Sequence, residues 1–168
     1  MFELKKITAE SIPAALDKAM RYRLLNEPME AESICLDVLA LEPENQKALP
    51  MLILSLTDQF DRHLGEHVRR AQSLLDRIDG EFERLYYQGI IYERQAKEHV
   101  RRANPRSGHI AYDFLRRAMD TYAAADELSP SGNDDPVLRW NACVRIIEAY
   151  PEIEPAPETP MGPILLGD

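Results

Sequence analysis

Two histidines and a glutamate, in the pattern His63-Leu-Gly-Glu66-His67, have a spacing that could support catalysis. In the pattern H-x-x-E-H, two imidazoles one helical turn apart can bind zinc while the carboxylate activates a water molecule. Gly65 falls where we expect a helix to break, and no later acidic residue is marked out as a third ligand. We therefore expect a polar hairpin tip with no metal, no cofactor and no catalytic residue. Zinc hydrolysis through His63, Glu66 and His67 stays an alternative.

Basic and histidine side chains concentrate in two stretches, 62–70 and 94–117. Their formal charges are +2 and +5, so the rest of the chain carries −16 within the total of −9. If the two stretches lie at adjacent hairpin tips, they form a surface for an anionic partner, which protonation of the histidines near about pH 6 would strengthen. We call this surface the basic edge, and its predicted members are Arg62, His63, His67, Arg69, Arg70, Lys97, His99, Arg101, Arg102, Arg106 and His109.

The alternative reading of these charges is structural, because ion pairs at i,i+4 spacing stabilise exposed helices. The candidate pairs are Glu66 with Arg70, Glu98 with Arg102 and Asp113 with Arg117. The negative total charge also argues against a general nucleic-acid binder.

Two rows of residues predict a close contact between two helices. In Leu85-Tyr-Tyr-Gln-Gly89-Ile-Ile-Tyr92, positions 85, 89 and 92 share one helix face. Glycine inside a helix costs about 1 kcal/mol relative to alanine, and the usual compensation is a neighbouring backbone packed where a Cβ would stand. Downstream, a row of small, aromatic and small residues ends in a proline, at Ala118, Tyr122, Ala125 and Pro130. We expect this second row to pack on the Gly89 face.

The two rows resemble the tetratricopeptide repeat, whose helices read W-x₂-L-G-x₂-Y and A-x₃-F followed by P. Leu85 stands in place of the Trp and Tyr122 in place of the Phe. The pattern recurs upstream at Ala19, Tyr22, Ala31, Cys35, Val38 and Pro43, and more weakly at Leu49, Leu52, Ile53, Leu56, Ala71, Leu75 and Ile78. The resemblance implies an all-α fold, a right-handed α-solenoid of antiparallel helical hairpins.

The implied organisation is a single helical domain over residues 1–150, followed by a proline-rich acidic tail at 151–168. The repeats span about 12–43, 46–80 and 82–130, and a capping helix spans 135–149. Ser11 is the expected N-cap of the first helix. The third helix is expected to start after Asn45 and reach Leu64, and Gly65 to break the chain before a fourth helix at 66–78.

The family binds peptides in a concave groove lined by the first helices of successive repeats, and the resemblance implies the same groove here. Its residues would be Leu16, Met20, Arg23, Met51, Leu54, Tyr86, Tyr87, Ile90 and Arg94. Methionine, tyrosine and arginine suit an apolar peptide or helix as the ligand, although some of these residues could instead belong to the core. The carboxylate clamp of the family is not expected, because its Lys and Asn positions hold Leu16, Met20, Met51 and Glu83.

We therefore expect a non-enzymatic adaptor, scaffold or chaperone of bacterial type with a protein or peptide partner. The alternative is a binder of an acidic protein or nucleic acid through the basic edge. The apolar segment Met161–Leu166 could also dock in the groove of its own chain or of a neighbour, giving self-association.

Bulk composition is that of a soluble, cytoplasmic protein. The hydrophobic fraction is 45%, no signal-peptide pattern opens the chain, and no apolar run approaches the ~20 residues that span a bilayer. Cys35 and Cys143 lie on helical apolar faces, so we expect buried, reduced thiols and no disulfide.

Overall fold

The structure, a computed structural model, describes residues 2–104 and 106–157. This part of the chain contains no strand, so the predicted all-α class is confirmed. A short 3₁₀ turn at Ala9–Ser11 precedes seven helices: α1 (Ile12–Leu24), α2 (Pro28–Leu41), α3 (Ala48–Thr57), α4 (Phe60–Leu75), α5 (Glu81–Arg102), α6 (Ser107–Glu127) and α7 (Asp135–Ala149). None of the helices in the described ranges is long and apolar enough to cross a membrane. The predicted docking segment Met161–Leu166 lies outside these ranges.

Asparagine and proline set the starts of the early helices. Asn26 adopts a left-handed φ of 61°, which turns the chain after α1, and Pro28 opens α2 where no backbone donor is needed. The Oδ1 of Asn45 accepts hydrogen bonds from the backbone N–H of Lys47 (3.1 Å) and of Ala48 (2.9 Å) at the start of α3.

The predicted cap at Ser11 was wrong. Ser11 has the helical angles φ −83° and ψ −10°, and its side chain makes no capping hydrogen bond. Its Oγ donates instead to the carbonyl of Thr8 (2.7 Å). The 3₁₀ turn runs directly into α1, so Ser11 lacks the extended backbone from which a capping side chain reaches the first amides.

The break between the third and fourth helices comes earlier than predicted. α3 ends at Thr57 and α4 begins at Phe60, so a third helix reaching Leu64 was wrong. A kink at His63 divides α4 into two helical stretches and lies close to the predicted break at Gly65. Gly65 lies within α4, whose backbone is non-helical only at His63 (φ −137°, ψ 63°).

Side-chain hydrogen bonds explain the early end of α3. The Oγ1 of Thr57 donates to the carbonyl three residues before it (2.8 Å), and the Nε2 of Gln59 donates to the carbonyl of Ser55 (3.1 Å). The Gln59 donor satisfies a carbonyl that the helix end leaves without a backbone partner, whereas the carbonyl that Thr57 contacts also accepts from the backbone N–H of Asp58 (3.0 Å). Asp58, which follows α3, is held by ion pairs to two other helices.

α5 and α6 form a long antiparallel pair around Gly89. A Cβ at Gly89 would lie 2.5 Å from Cε1 of Tyr122, so only glycine fits without displacing that ring. Farther along the pair, the rings of His99 and Phe114 stack with centroids 5.6 Å apart. The predicted contact between the Gly89 face and the Tyr122 row is confirmed, with the Tyr122 ring, not a backbone, in the space of the missing Cβ.

The helices pack mainly on their neighbours in the chain. Beyond these pairs, α1 contacts α3 and α3 contacts α5. Arg139 on α7 reaches the carboxylate of Glu93 on α5 (3.3 Å). The odd-numbered helices therefore contact one another in series.

The buried residues form two large cores that meet at Tyr87. The first core is built from α1 to α4 with Ile91 from α5, and the second from α5 to α7 with Ile153 from the segment after α7. Cys35 lies in the first core and Cys143 in the second, and both thiols are free and buried. Burial raises the pKa of each thiol to about 12. The prediction of two buried, reduced cysteines is confirmed.

Candidate functional site

Seven of the nine predicted groove residues lie at least partly exposed on α1, α3 and α5. We call this surface the odd-helix face; its members are Met20, Arg23, Met51, Leu54, Tyr86, Tyr87 and Arg94. Leu16 and Ile90 were wrongly placed on it, because they are only 9% and 1% exposed. Leu16 packs in a small cluster with Val38 of α2, and Ile90 packs in the second core. Both side chains turn toward neighbouring helices.

An ion cluster joins three helices across the odd-helix face. The carboxylate of Asp58 accepts from Nε of Arg23 (2.8 Å) and lies 3.1 Å from Nη1 of Arg94. Arg23 belongs to α1 and Arg94 to α5, so the residue after α3 links both. Two cations share one anion, and the Nε of Arg94 is buried with no hydrogen-bond partner among the described residues. Sequence reasoning missed Asp58, because it placed this residue inside a continuous helix.

Aromatic rings on α5 form the apolar part of the odd-helix face. The rings of Tyr86 and Tyr87 meet edge to face with centroids 5.5 Å apart, and Phe82 stacks on Tyr86 at 6.1 Å. Burial, with smaller effects of Tyr86 and Glu83, raises the pKa of Tyr87. Tyr87 therefore presents a neutral ring and hydroxyl, which suits contact with an apolar ligand that also carries hydrogen-bonding groups.

A second ion cluster lies beneath the surface and ties α5 to α6 and α7. Glu93 is fully buried. Its carboxylate accepts hydrogen bonds from Tyr122 Oη (2.8 Å), from Lys97 Nζ and from Arg139 Nη1 (3.3 Å). Burial alone would raise the pKa of Glu93, but the charge and hydrogen bond of Lys97, the charge of Arg139 and the hydroxyl of Tyr122 lower it overall. Glu93 is therefore an anion in the folded protein.

The structure places the three H-x-x-E-H residues on α4 in different surroundings. The helix is distorted at His63, and the two imidazole centroids lie 6.0 Å apart at 74°. His67 is buried, and its Nδ1 lies 3.0 Å from the carbonyl oxygen of Gln59. Within residues 2–104 and 106–157, no group of three or more His, Cys, Asp or Glu side chains could hold a metal ion together. This geometry favours a structural role for His67.

The basic edge carries less free charge than predicted. His67 does not belong to it, since that side chain is buried. Arg101 and Arg102 both bind Glu98, at 2.8 and 2.6 Å, so the predicted pair of Glu98 with Arg102 is confirmed. Lys97 binds the buried Glu93.

The other two predicted ion pairs give way to different contacts. Arg70 binds Glu32 on α2 and not Glu66. Arg117 lies over the ring of Phe114, 5.7 Å from its centroid, and makes no ion pair with Asp113 in the described structure. The members of the basic edge that remain exposed outside these pairs are Arg62, His63, Arg69 and Arg106.

His99 opposes the expected gain of charge near about pH 6. Its ring is half-buried against Phe114. Burial first, then Arg102, lower the pKa of His99, against a smaller opposite effect of Glu98. His99 therefore gains its proton at a lower pH than an exposed histidine does.

Residues 150–154, which we call the C-terminal strap, fold back over the start of α6. Ile153 is only 3% exposed and joins the second core. His109 Nδ1 lies 2.9 Å from the carbonyl oxygen of Glu154. The acidic tail predicted from residue 151 thus begins with an ordered contact, which its proline-rich composition did not reveal. The compact part of the chain continues past the predicted boundary at 150.

Comparison of the chain with protein-family models, with curated proteins and with solved structures finds no match.

Proposed function

We propose that the chain is a non-enzymatic interaction module built as an α-solenoid of tetratricopeptide-like repeats. Its odd-helix face is the concave groove, and the ligand is an apolar peptide or helix of a partner protein. The observation that carries the proposal is a set of large side chains on three successive odd-numbered helices that the two cores do not fully bury. They are Met20, which is 42% exposed, and Met51, Leu54, Tyr86 and Tyr87, which pack partly against the cores. Apolar surface left open across neighbouring helices is a feature of interaction sites.

The packing of the helices supports the solenoid part of the proposal. In a solenoid each repeat contacts only its neighbours, and one helix of every repeat lines a continuous binding surface. Contacts between α1 and α3, between α3 and α5, and between Arg139 of α7 and Glu93 of α5 are those expected of such a surface. Gly89, with the Tyr122 ring in place of a Cβ, supports the tetratricopeptide-like pairing of α5 with α6.

The types of side chain on the odd-helix face support the choice of ligand. Methionines adapt to ligands of different shape, and Tyr86 and Tyr87 are rigid aromatic anchors of the kind that dominate binding energy. The Arg23–Asp58–Arg94 cluster supplies polar groups beside this apolar surface. An apolar segment with hydrogen-bonding groups at one end fits both parts.

The test starts from a random peptide library selected on the full-length protein. We expect Met51→Asp and Tyr87→Ala each to weaken a selected peptide by about ten-fold or more, the effect of losing a central anchor. The control is Leu36→Asp, which changes a more exposed aliphatic side chain on α2 (46% exposed) and should leave affinity unchanged. Isothermal titration at low and high salt measures the affinity of the wild type and the three variants for the selected peptide. Because the contacts are apolar, the affinity should change little with salt. No selected peptide, or equal affinity for all variants, would contradict the proposal.

A second candidate function uses the exposed arginines of the basic edge. Arg62, Arg69 and Arg106 are solvent-exposed and could bind an acidic protein or a nucleic acid. This binding should weaken steeply with salt, and Arg62→Glu with Arg106→Glu should abolish it. The candidate has less support than the odd-helix face, because Lys97, Arg101 and Arg102 already bind carboxylates of their own helix.

A further inference from the structure

The start of α6 is shaped to receive a turn of the backbone. Residues 151 and 152 of the strap form a turn, closed by a hydrogen bond from the N–H of Ile153 to the carbonyl of Tyr150 (2.9 Å). A Cβ placed on Gly108 would lie 1.9 Å from the carbonyl oxygen of Glu152 and 2.8 Å from its carbonyl carbon. The obstacle is backbone and not a flexible side-chain end, so any larger residue at position 108 must displace the strap. Gly108 has no positive φ that would otherwise require glycine. Its lack of a side chain therefore serves the close approach of the strap.

One apolar side chain anchors the strap. Ile153 enters the second core at the end of the α5–α6 pair, while residues 150–152 and 154–157 are all exposed. An open cavity of about 440 Å³ continues beside the strap, with Val100, Ser107, Gly108 and His109 in its wall. We call the surface that holds the strap the seat; it is formed by Val100, Ser107, Gly108 and His109. The seat therefore has more room than the strap fills.

The acidic charge of the strap is opposite in sign to the charge at the start of α6. The strap carries Glu152 and Glu154, and they lie at the N-terminal end of α6, which bears partial positive charge. Arg106, immediately before α6, is exposed on the same end. His109 contacts the strap through the carbonyl oxygen of Glu154, at 2.9 Å from Nδ1. An acidic backbone turn with one aliphatic side chain is the ligand that these groups recognise.

We propose that the seat formed by Val100, Ser107, Gly108 and His109 is a peptide-binding site. Its ligand is an acidic segment of a partner protein that forms a turn and carries one aliphatic side chain. In the free protein the strap occupies this site, and the partner segment displaces it. Among the described residues, the strap is held by the buried side chain of Ile153, by the contact of His109 with Glu154 and by the close approach of Glu152 to Gly108. Exchange therefore does not require the helices to unfold. The site is separate from the odd-helix face and does not depend on the function proposed for that face.

The test uses a fluorescent synthetic peptide with the sequence of residues 149–156 and the full-length protein. Ile153→Asp should release the strap and leave the seat open. We expect anisotropy titration to give an affinity about ten-fold or more tighter for this variant than for the wild type, because the tethered strap competes within its own chain. A peptide with Asp in place of the isoleucine should not bind. Adding Gly108→Val to the Ile153→Asp protein should abolish binding.

Further measurements separate loss of the site from loss of the fold. Circular dichroism should show the same helix content for all variants, and Ile153→Ala replaces Ile153→Asp if the latter unfolds. Equal affinity for wild type and variant, or no binding to either, would overturn the proposal. A wild-type dimer that Ile153→Asp abolishes would also overturn it, because the strap would then be exchanged between two copies of the chain.

Discussion

Two carboxylates in this protein each lie between two cations, and their surroundings differ. Glu93 is fully buried between Lys97 and Arg139 and accepts a third hydrogen bond from Tyr122. Asp58 binds Arg23 and Arg94 at the surface, where the three side chains are 17%, 15% and 31% exposed. Both clusters join helices, but the surface cluster leaves the buried Nε of Arg94 without a partner in the described structure. The same charges thus give a structural cluster in one place and a candidate binding cluster in the other.

Replacing the buried carboxylate should have the largest effect on stability. Glu93→Gln leaves two cations and a buried hydroxyl without their anion. Breaking a buried pair typically costs about 3–5 kcal/mol. We expect about 3 kcal/mol here, the low end of that range, because the Lys97 and Arg139 side chains are 44% and 32% exposed and can regain water. Urea unfolding measures the change, and Glu83→Gln, at an exposed position of the same helix, is the control. A loss as small as that of the control would mean that Glu93 does not hold α7.

Acid should weaken the buried cluster in a predictable direction. The pKa of Glu93 in the folded protein lies below the 4.5 of an unperturbed glutamate, so the unfolded chain takes up the proton first. The stabilisation is complete above pH 4.5 and is lost as the pH falls through the lower, folded value. The difference in unfolding free energy between wild type and Glu93→Gln should therefore shrink as the pH falls below that of an unperturbed glutamate. A difference that stays constant with pH would contradict a charged Glu93.

Replacing the surface carboxylate should have the smallest effect on stability. Asp58→Asn should lower the free energy of unfolding by no more than about 1 kcal/mol, as for most partly exposed ion pairs. If the cluster belongs to a binding surface, the affinity for a peptide selected on the odd-helix face should change by a larger free energy than the stability does. Urea unfolding and isothermal titration on the same protein make the comparison. A destabilisation equal to that of Glu93→Gln would show that the two clusters have the same structural role.

Local patterns in the sequence predicted those parts of the fold that local contacts determine. Gly89 and the Tyr122 row predicted the contact between α5 and α6, because a glycine inside a helix requires a neighbour at that point. The early end of α3 depends on Thr57 and on ion pairs of Asp58 with residues far away in the chain. No local pattern contains those partners, so the break was placed at the most obvious helix breaker.

The candidate site also depends on contacts between residues far apart in the chain, which local patterns do not contain. Helical periodicity placed Leu16 and Ile90 on the correct helices, but it could not fix which neighbour each of them would face. The position of the strap could not be predicted from the sequence, because a proline-rich acidic stretch indicates no contact with the rest of the chain. Gly108 was a usable signal in principle. In the structure this glycine leaves room for another part of the backbone.

The division of the molecule into two cores has a chemical consequence. Each core holds one buried cysteine, and burial keeps each thiol protonated, with a pKa of about 12. Alkylating reagents attack thiolates, so neither sulfur reacts until its own core opens. The rate of labelling at Cys35 therefore follows opening around α1 to α4, and the rate at Cys143 follows opening around α5 to α7. Mass spectrometry of one untagged protein can thus time the opening of each half separately, with no engineered probe.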